Sequence, residues 1–216
     1  MGGAQLPIDL VLFGMIALFL VLRLRSILGR RTGFEGTPPA IERRPPPVIE
    51  GRAEAPQSPA RAVPDPASPT GQAIAAMRAM DRTFEPTAFL AGAEAAFRMI
   101  VTGFAAGDRA RLQPLLTPDT YAAFEAAITA REAAGHTQHT EIRSILESNI
   151  EQATLQGSLA DITVRFVSHQ ITFTTAADNS ITAGADAVTE LADIWSFTRD
   201  LKASHPVWRL AAARSA

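Results

Sequence analysis

The hydrophobic positions change period along the chain, and each change marks a different kind of element. From Leu10 to Leu22 the residues are apolar without a break, and Arg23, Arg25, Arg30 and Arg31 follow at once. Counted from Leu6, the run has 17 residues, about 26 Å as a helix against a hydrocarbon core of about 30 Å. Snorkelling arginines cover the deficit, so residues 6–28 read as a transmembrane segment. A cleaved signal peptide carries its basic residues before the apolar run and a small-residue cut site after it; here the order is reversed. By the positive-inside rule the arginines hold the following chain in the cytoplasm, which predicts a single-pass signal anchor. A buried core helix is the alternative that a run of this length also allows.

Helical spacing begins in the second third of the chain. Ile74, Met77 and Met80 fall on one face of a short helix over 72–82, which could dock on its own domain, a partner or lipid. After Pro86, Phe89, Ala93, Phe97, Ile100 and Phe104 recur until Gly107 supplies a stop. Asp108 can cap a short helix bearing Leu112, Leu115 and Leu116, and Thr117-Pro118 opens a third, with Tyr121, Phe124 and Ile128 inward, ending near Gly135. Beyond His136 the period becomes two. Thr140 to Leu155 reads as a strand broken near Glu147 to Asn149. Ile162, Val164 and Phe166 alternate with polar residues, then Val167, His169, Ile171 and Phe173 continue on the opposite parity, which predicts a β-bulge. A turn at Ala177 to Ser180 follows, then strands over Val188 to Leu201 and Val207 to Ala212. Helices first and strands afterwards make an α+β domain of three helices on a bent antiparallel sheet.

Composition divides the chain further. Ten of the 15 prolines lie between Pro38 and Pro69, in a stretch almost without large apolar residues. Such a segment cannot bury enough surface to offset its ordering entropy, so residues 29–71 read as a flexible tether and 72–216 as the single folded domain. Arg43-Arg44-Pro45-Pro46-Pro47 is the kind of string a proline-rich spacer contains by chance. A net charge of -2 argues against nucleic acid as a partner, and the lack of cysteine excludes a thiolate nucleophile or cysteine-held metal.

Candidate chemistry is sparse. There is no G-x-S-x-G, no phosphate-loop motif and no G-x-G-x-x-G, and His136 with His139 lacks a third ligand in a recognisable pattern. No catalytic, cofactor or metal-binding residue is therefore assigned. The remaining option is a pocket between helices and bent sheet, in which Asp193, Trp195, His169, Tyr121, Phe197 and Trp208 could converge as an acid, its hydrogen-bonding partners and an apolar wall. Sheet-stabilising aromatics and exposed strand charges explain the same residues more simply.

The segments DLVLFGMIALFLVLRLRSILGRRTG (9–33), FLAGAEAAFRMIVTGFAAGDRARLQPLLTPDTYAAFEAAITAREAAG (89–135), VRFVSHQITFTT (164–175), WSFTRD (195–200) and PVWRLAAA (206–213) together resemble the alphaproteobacterial proteins whose carboxyl-terminal domain is like that of translocase of the inner membrane subunit 44. The resemblance implies an α+β cone similar to nuclear transport factor 2 and a non-enzymatic adaptor or tether at the bacterial inner membrane, with its domain in the cytoplasm. It implies a protein partner, a chaperone or translocon component, and contact with cardiolipin or other anionic lipid, for which Arg23, Arg25, Arg30 and Arg31 are the candidates. The long helical amino-terminal segment of the namesake has no counterpart here, being replaced by the apolar run and the proline-rich stretch. An enzyme or small-ligand carrier using the cone pocket is the alternative reading.

Overall fold

The computed structural model describes residues 59–204 and 207–216. The segment read as the anchor, 6–28, and most of the segment read as the tether lie outside the described residues. In chain order the elements are β1 (Ala60–Ala62), α1 (Pro69–Met80), α2 (Pro86–Ala106), α3 (Arg109–Leu112) with a single 3-10 turn Gln113–Leu115, α4 (Pro118–Ala133), β2 (Thr137–Gln156), β3 (Leu159–Thr175), β4 (Ile181–Asp200) and β5 (Arg209–Ser215).

Short-range chemistry sets the helix ends. The hydroxyl of Ser68 accepts from the Gly71 N–H, the Asp108 carboxylate from Arg111 N–H, and the Thr117 hydroxyl from Thr120 N–H. These satisfy amide groups that have no partner within the helix. Gly107 closes α2 in the left-handed conformation (φ 69°) and donates back to the carbonyls of Gly103 and Phe104, as the sequence pattern predicts. The apolar face of α2 (Phe89, Ala93, Phe97, Ile100) is buried, as are Ile74 and Met77 of α1. The domain therefore has four helices, not three, because α1 docks on its own domain.

The sheet runs β1-β2-β3-β4-β5. It is mixed rather than antiparallel: β1 lies parallel to β2, with Ala60 opposite Glu147 and Ala62 opposite Asn149. Residues 60–62 and the turn before Pro69, expected within the tether, belong to the fold. β2 is continuous across Glu147 to Asn149; the irregularity there is the extra residue Leu146, one of three register shifts against β3. No parity change occurs in β3. Ala160, Ile162, Val164, Phe166, Ser168, Gln170, Thr172 and Thr174 are all buried. What changes face in β3 is the chemistry of the side chains, not the backbone, and the extra residues that curve the sheet sit on its neighbours. Gly184 in β4 permits one such adjustment: its φ is +81°, and a Cβ there would lie 2.3 Å from the Thr172 carbonyl oxygen.

The core lies between the inner face of β2 to β5 and helices α1, α2 and α4. Among the described residues one helix, α2, is long and apolar enough to cross a membrane, and half of its apolar window is buried inside the fold. It is the central core helix. Two polar ties close the ends. The Thr120 hydroxyl donates to the Ala211 carbonyl (2.7 Å), holding α4 on β5, and Arg199 pairs with Asp81 at 2.7 Å with both side chains nearly buried.

Candidate functional site

The inner face of β3 and β4 carries most of the residues from which a pocket could be built, and α2 fills the space above them. Phe97 lies 4.7 Å from the rings of both Phe166 and Trp195, and Trp195 is 6.2 Å from Phe197. Trp195 and Phe197 are 1% and 2% exposed. The layer continues toward the end of the sheet, where Phe89 meets Phe197 at 6.0 Å and Trp208 at 4.8 Å, with the Arg199 guanidinium 5.9 Å from the Trp208 ring. Such edge-on and tilted pairs add to the burial energy of the rings themselves.

Asp193, Trp195, Phe197 and Trp208 thus belong to one aromatic-lined layer, with Asp193 buried opposite Phe166 in the strand register. His169 does not join them. It projects from the other face of the sheet, partly exposed, with Glu190 3.6 Å away. Phe166 and His169 are three residues apart on an unbroken strand, so their side chains point to opposite faces. Tyr121 sits on the first turn of α4, partly buried against the core. The acid, imidazole and phenol therefore do not form one constellation. His139 likewise stacks on Phe173 at 4.8 Å on the outer face. Among the described residues no group of three His, Asp or Glu side chains is placed to hold a metal. Arg23, Arg25, Arg30 and Arg31 lie outside the described residues.

Two polar features escaped the sequence reading. The first is Glu94, 7% exposed on the buried face of α2. It accepts hydrogen bonds from Nε and Nη2 of Arg61, both at 2.7 Å, and a very short one from the Ser148 hydroxyl. Burial works to raise the Glu94 carboxyl, but hydrogen bonds from Arg61 and Ser148 and the charge of Arg61 outweigh it, leaving the group below the ordinary glutamate value. The signal available was position: Glu94 falls in the apolar series Leu90, Ala93, Phe97, Val101. The second is the polar inner face of the upper sheet. Gln170 donates to Ser168 at 2.8 Å with both side chains fully buried, while the Trp195 Nε1 and Thr172 Oγ1 make no hydrogen bond among the described residues.

A groove of about 300 Å³ opens on the surface between α2, α3 and β2, lined by Arg98, Met99, Thr102, Arg111, Thr140, Glu141 and Ile142. Glu141 is held by Arg143 at 2.9 Å. The two lining arginines give the groove a positive character.

The profile of the family described as Tim44-like domain matches residues 70–215. No curated protein matches the chain. Among solved structures, a conserved protein from Planctomyces limnophilus is similar at 15% identity, over 56% of this chain and 90% of that one, with a TM-score of 0.29. A ketosteroid isomerase-like protein from Erwinia carotovora atroseptica is similar at 14% identity, over 56% and 89%, with a TM-score of 0.28.

Proposed function

The chain belongs to the Tim44-like domain family, and on that premise we propose that it is a non-enzymatic adaptor held at the bacterial inner membrane, with its folded domain in the cytoplasm binding a protein partner. A Tim44-like domain fits a membrane-associated, adaptor-like role. On this reading residues 6–28 are the single-pass anchor, the proline-rich stretch up to residue 58 is the tether, and the tether raises the local concentration of the domain at the membrane without adding contacts. The partner is a chaperone or translocon component, and Arg23, Arg25, Arg30 and Arg31 engage cardiolipin or other anionic headgroups.

The observation that carries the non-enzymatic part is the packed aromatic layer. Phe97, Phe166, Trp195 and Phe197 occupy the space between helix and sheet that a substrate pocket would need, and His169 faces away from Asp193. General acid–base work needs both groups within reach of one reacting atom. A periplasm-dependent reporter fused after Ala216, together with membrane fractionation, tests the tethering. The adaptor reading expects an inactive reporter and a protein that remains in the membrane pellet after an alkaline wash; an active reporter or release by the wash overturns it.

A further inference from the structure

The outer edge of β2 is only partly used. β2 spans Thr137–Gln156, but β1 covers just Glu147 to Asn149, so among the described residues Thr137 to Leu146 have a sheet partner on the β3 side alone. The groove lies along this open stretch. Three consecutive strand residues, Thr140, Glu141 and Ile142, line it. Side chains on a strand alternate between faces, so three in sequence bordering one groove fit a groove that meets the strand edge, at the level of the backbone N–H and C=O groups.

The opposite wall sets the charge of what fits. Arg98 and Thr102 are one turn apart on α2, and Arg111 reaches in from α3. Among the described residues neither guanidinium makes a salt bridge or hydrogen bond, and the one charge interaction of Arg98 is a longer-range pull on Glu94, which Arg61 already pairs directly. Met99 and Ile142 supply apolar contact between them. The same helix and the same edge already show how such a site is filled. One turn before Arg98, Glu94 takes Arg61 from β1, which is added to β2 as an extended parallel segment. Glu94 meets a basic residue on the added strand, and Arg98 with Arg111 calls for an acidic one.

We propose that this groove binds an extended acidic peptide segment of a partner protein by strand addition to Thr137 to Leu146, its carboxylates on Arg98 and Arg111. The inference rests on the adaptor reading and gives the partner's chemistry. Backbone bonds to the edge supply affinity, and the arginines select acidic over basic sequences.

The test uses the full chain in detergent and a short fluorescein-labelled peptide in which glutamate alternates with threonine and valine, read by anisotropy. Saturable binding is expected, weakened roughly tenfold or more by Arg98→Glu with Arg111→Glu and less by the milder Arg98→Gln with Arg111→Gln, and weaker at high salt. A backbone N-methylated version of the peptide should lose binding, and Arg82→Glu, outside the groove, should not change it. Thermal unfolding of each variant separates lost binding from lost fold. The proposal is overturned if the peptide does not bind, if a lysine version binds as well, if N-methylation has no effect, or if the arginine variants bind normally. Binding that appears only after Glu50→Ala and Glu54→Ala assigns the groove to the chain's own preceding segment instead, and arginine-dependent self-association assigns it to a second copy; either result also overturns it. None of these outcomes bears on whether the chain is a membrane adaptor, which the reporter fusion measures.

Discussion

Replacing Arg61 with Ala removes both hydrogen bonds that Glu94 receives from β1 and leaves a carboxylate that is 7% exposed with Ser148 as its remaining donor. Two charge-assisted hydrogen bonds at about 1.5–3 kcal/mol each set a ceiling of roughly 3–6 kcal/mol. The Arg61 side chain is 35% exposed, so water enters the vacated site and screens what remains; the expected loss is about 2 kcal/mol. For a chain of this size that is about 4–8 °C in Tm. Glu94→Gln keeps the shape and the contact with Ser148 but gives up the charge, and should cost about 1–2 kcal/mol. Because both changes act on one contact, the double variant should be little worse than Arg61→Ala alone. The pH dependence follows from the lowered Glu94 carboxyl. Its contribution is complete above the ordinary glutamate value of 4.5 and is lost as pH falls through the lower folded-state value, so the gap between the parent protein and Glu94→Gln should narrow in acid. Denaturant unfolding from neutral pH into the acid range measures both effects. An Arg61→Ala variant within about 0.5 kcal/mol of the parent, with the pH profile unchanged, would refute the clamp.

Trp195→Ala should cost about 3–5 kcal/mol by emptying the aromatic layer, whereas His169→Ala on the outer face should stay within about 0.5 kcal/mol; urea unfolding compares them, and equal losses would contradict the placement. A fragment starting at residue 72 lacks β1, the Arg61 clamp and the Ser68 cap, so it should unfold in calorimetry well below one starting at 59, and coincident transitions would make β1 dispensable. Arg30→Gln with Arg31→Gln should reduce preference for anionic over neutral bilayers at low salt, an effect that fades as salt is raised; no difference in vesicle binding at low salt would leave these arginines as topology signals.

The elements written in short-range chemistry were legible in the sequence. Thr117-Pro118, Asp108 and Gly107 mark helix ends because capping and left-handed geometry depend on residues within one turn. Phe89, Phe97, Ile100, Ile162, Val164 and Phe166 could be assigned to the core from their period alone. Where the structure departs, the cause is long-range. Ala60 to Ala62 has no strand pattern of its own and becomes a strand because β2 offers an edge and Glu94 a partner for Arg61. The first half of β4 (Ile181 to Ala187) is small and polar, and is held by register with Thr172 to Thr175. The apparent slip in β3 misled because Ser168, Gln170, Thr172 and Thr174 are buried polar residues, and alternation of hydrophobicity reports a face only when the buried face is apolar. The same strand separates the candidate pocket residues: Ser168 occupies the inner face that the apparent slip assigns to His169.

The central claim is that the chain is a membrane-tethered adaptor whose folded domain engages a protein partner. A promiscuous labelling enzyme fused after Ala216 of the full chain, expressed in its native membrane, tests it against the same enzyme fused directly after Ser58. A tethered adaptor should yield a discrete set of proteins, chaperone or translocon components among them, labelled by the first fusion and absent from the second. Indistinguishable labelling by the two fusions would contradict it, since the folded domain would then add no partner to those reached by the first 58 residues alone.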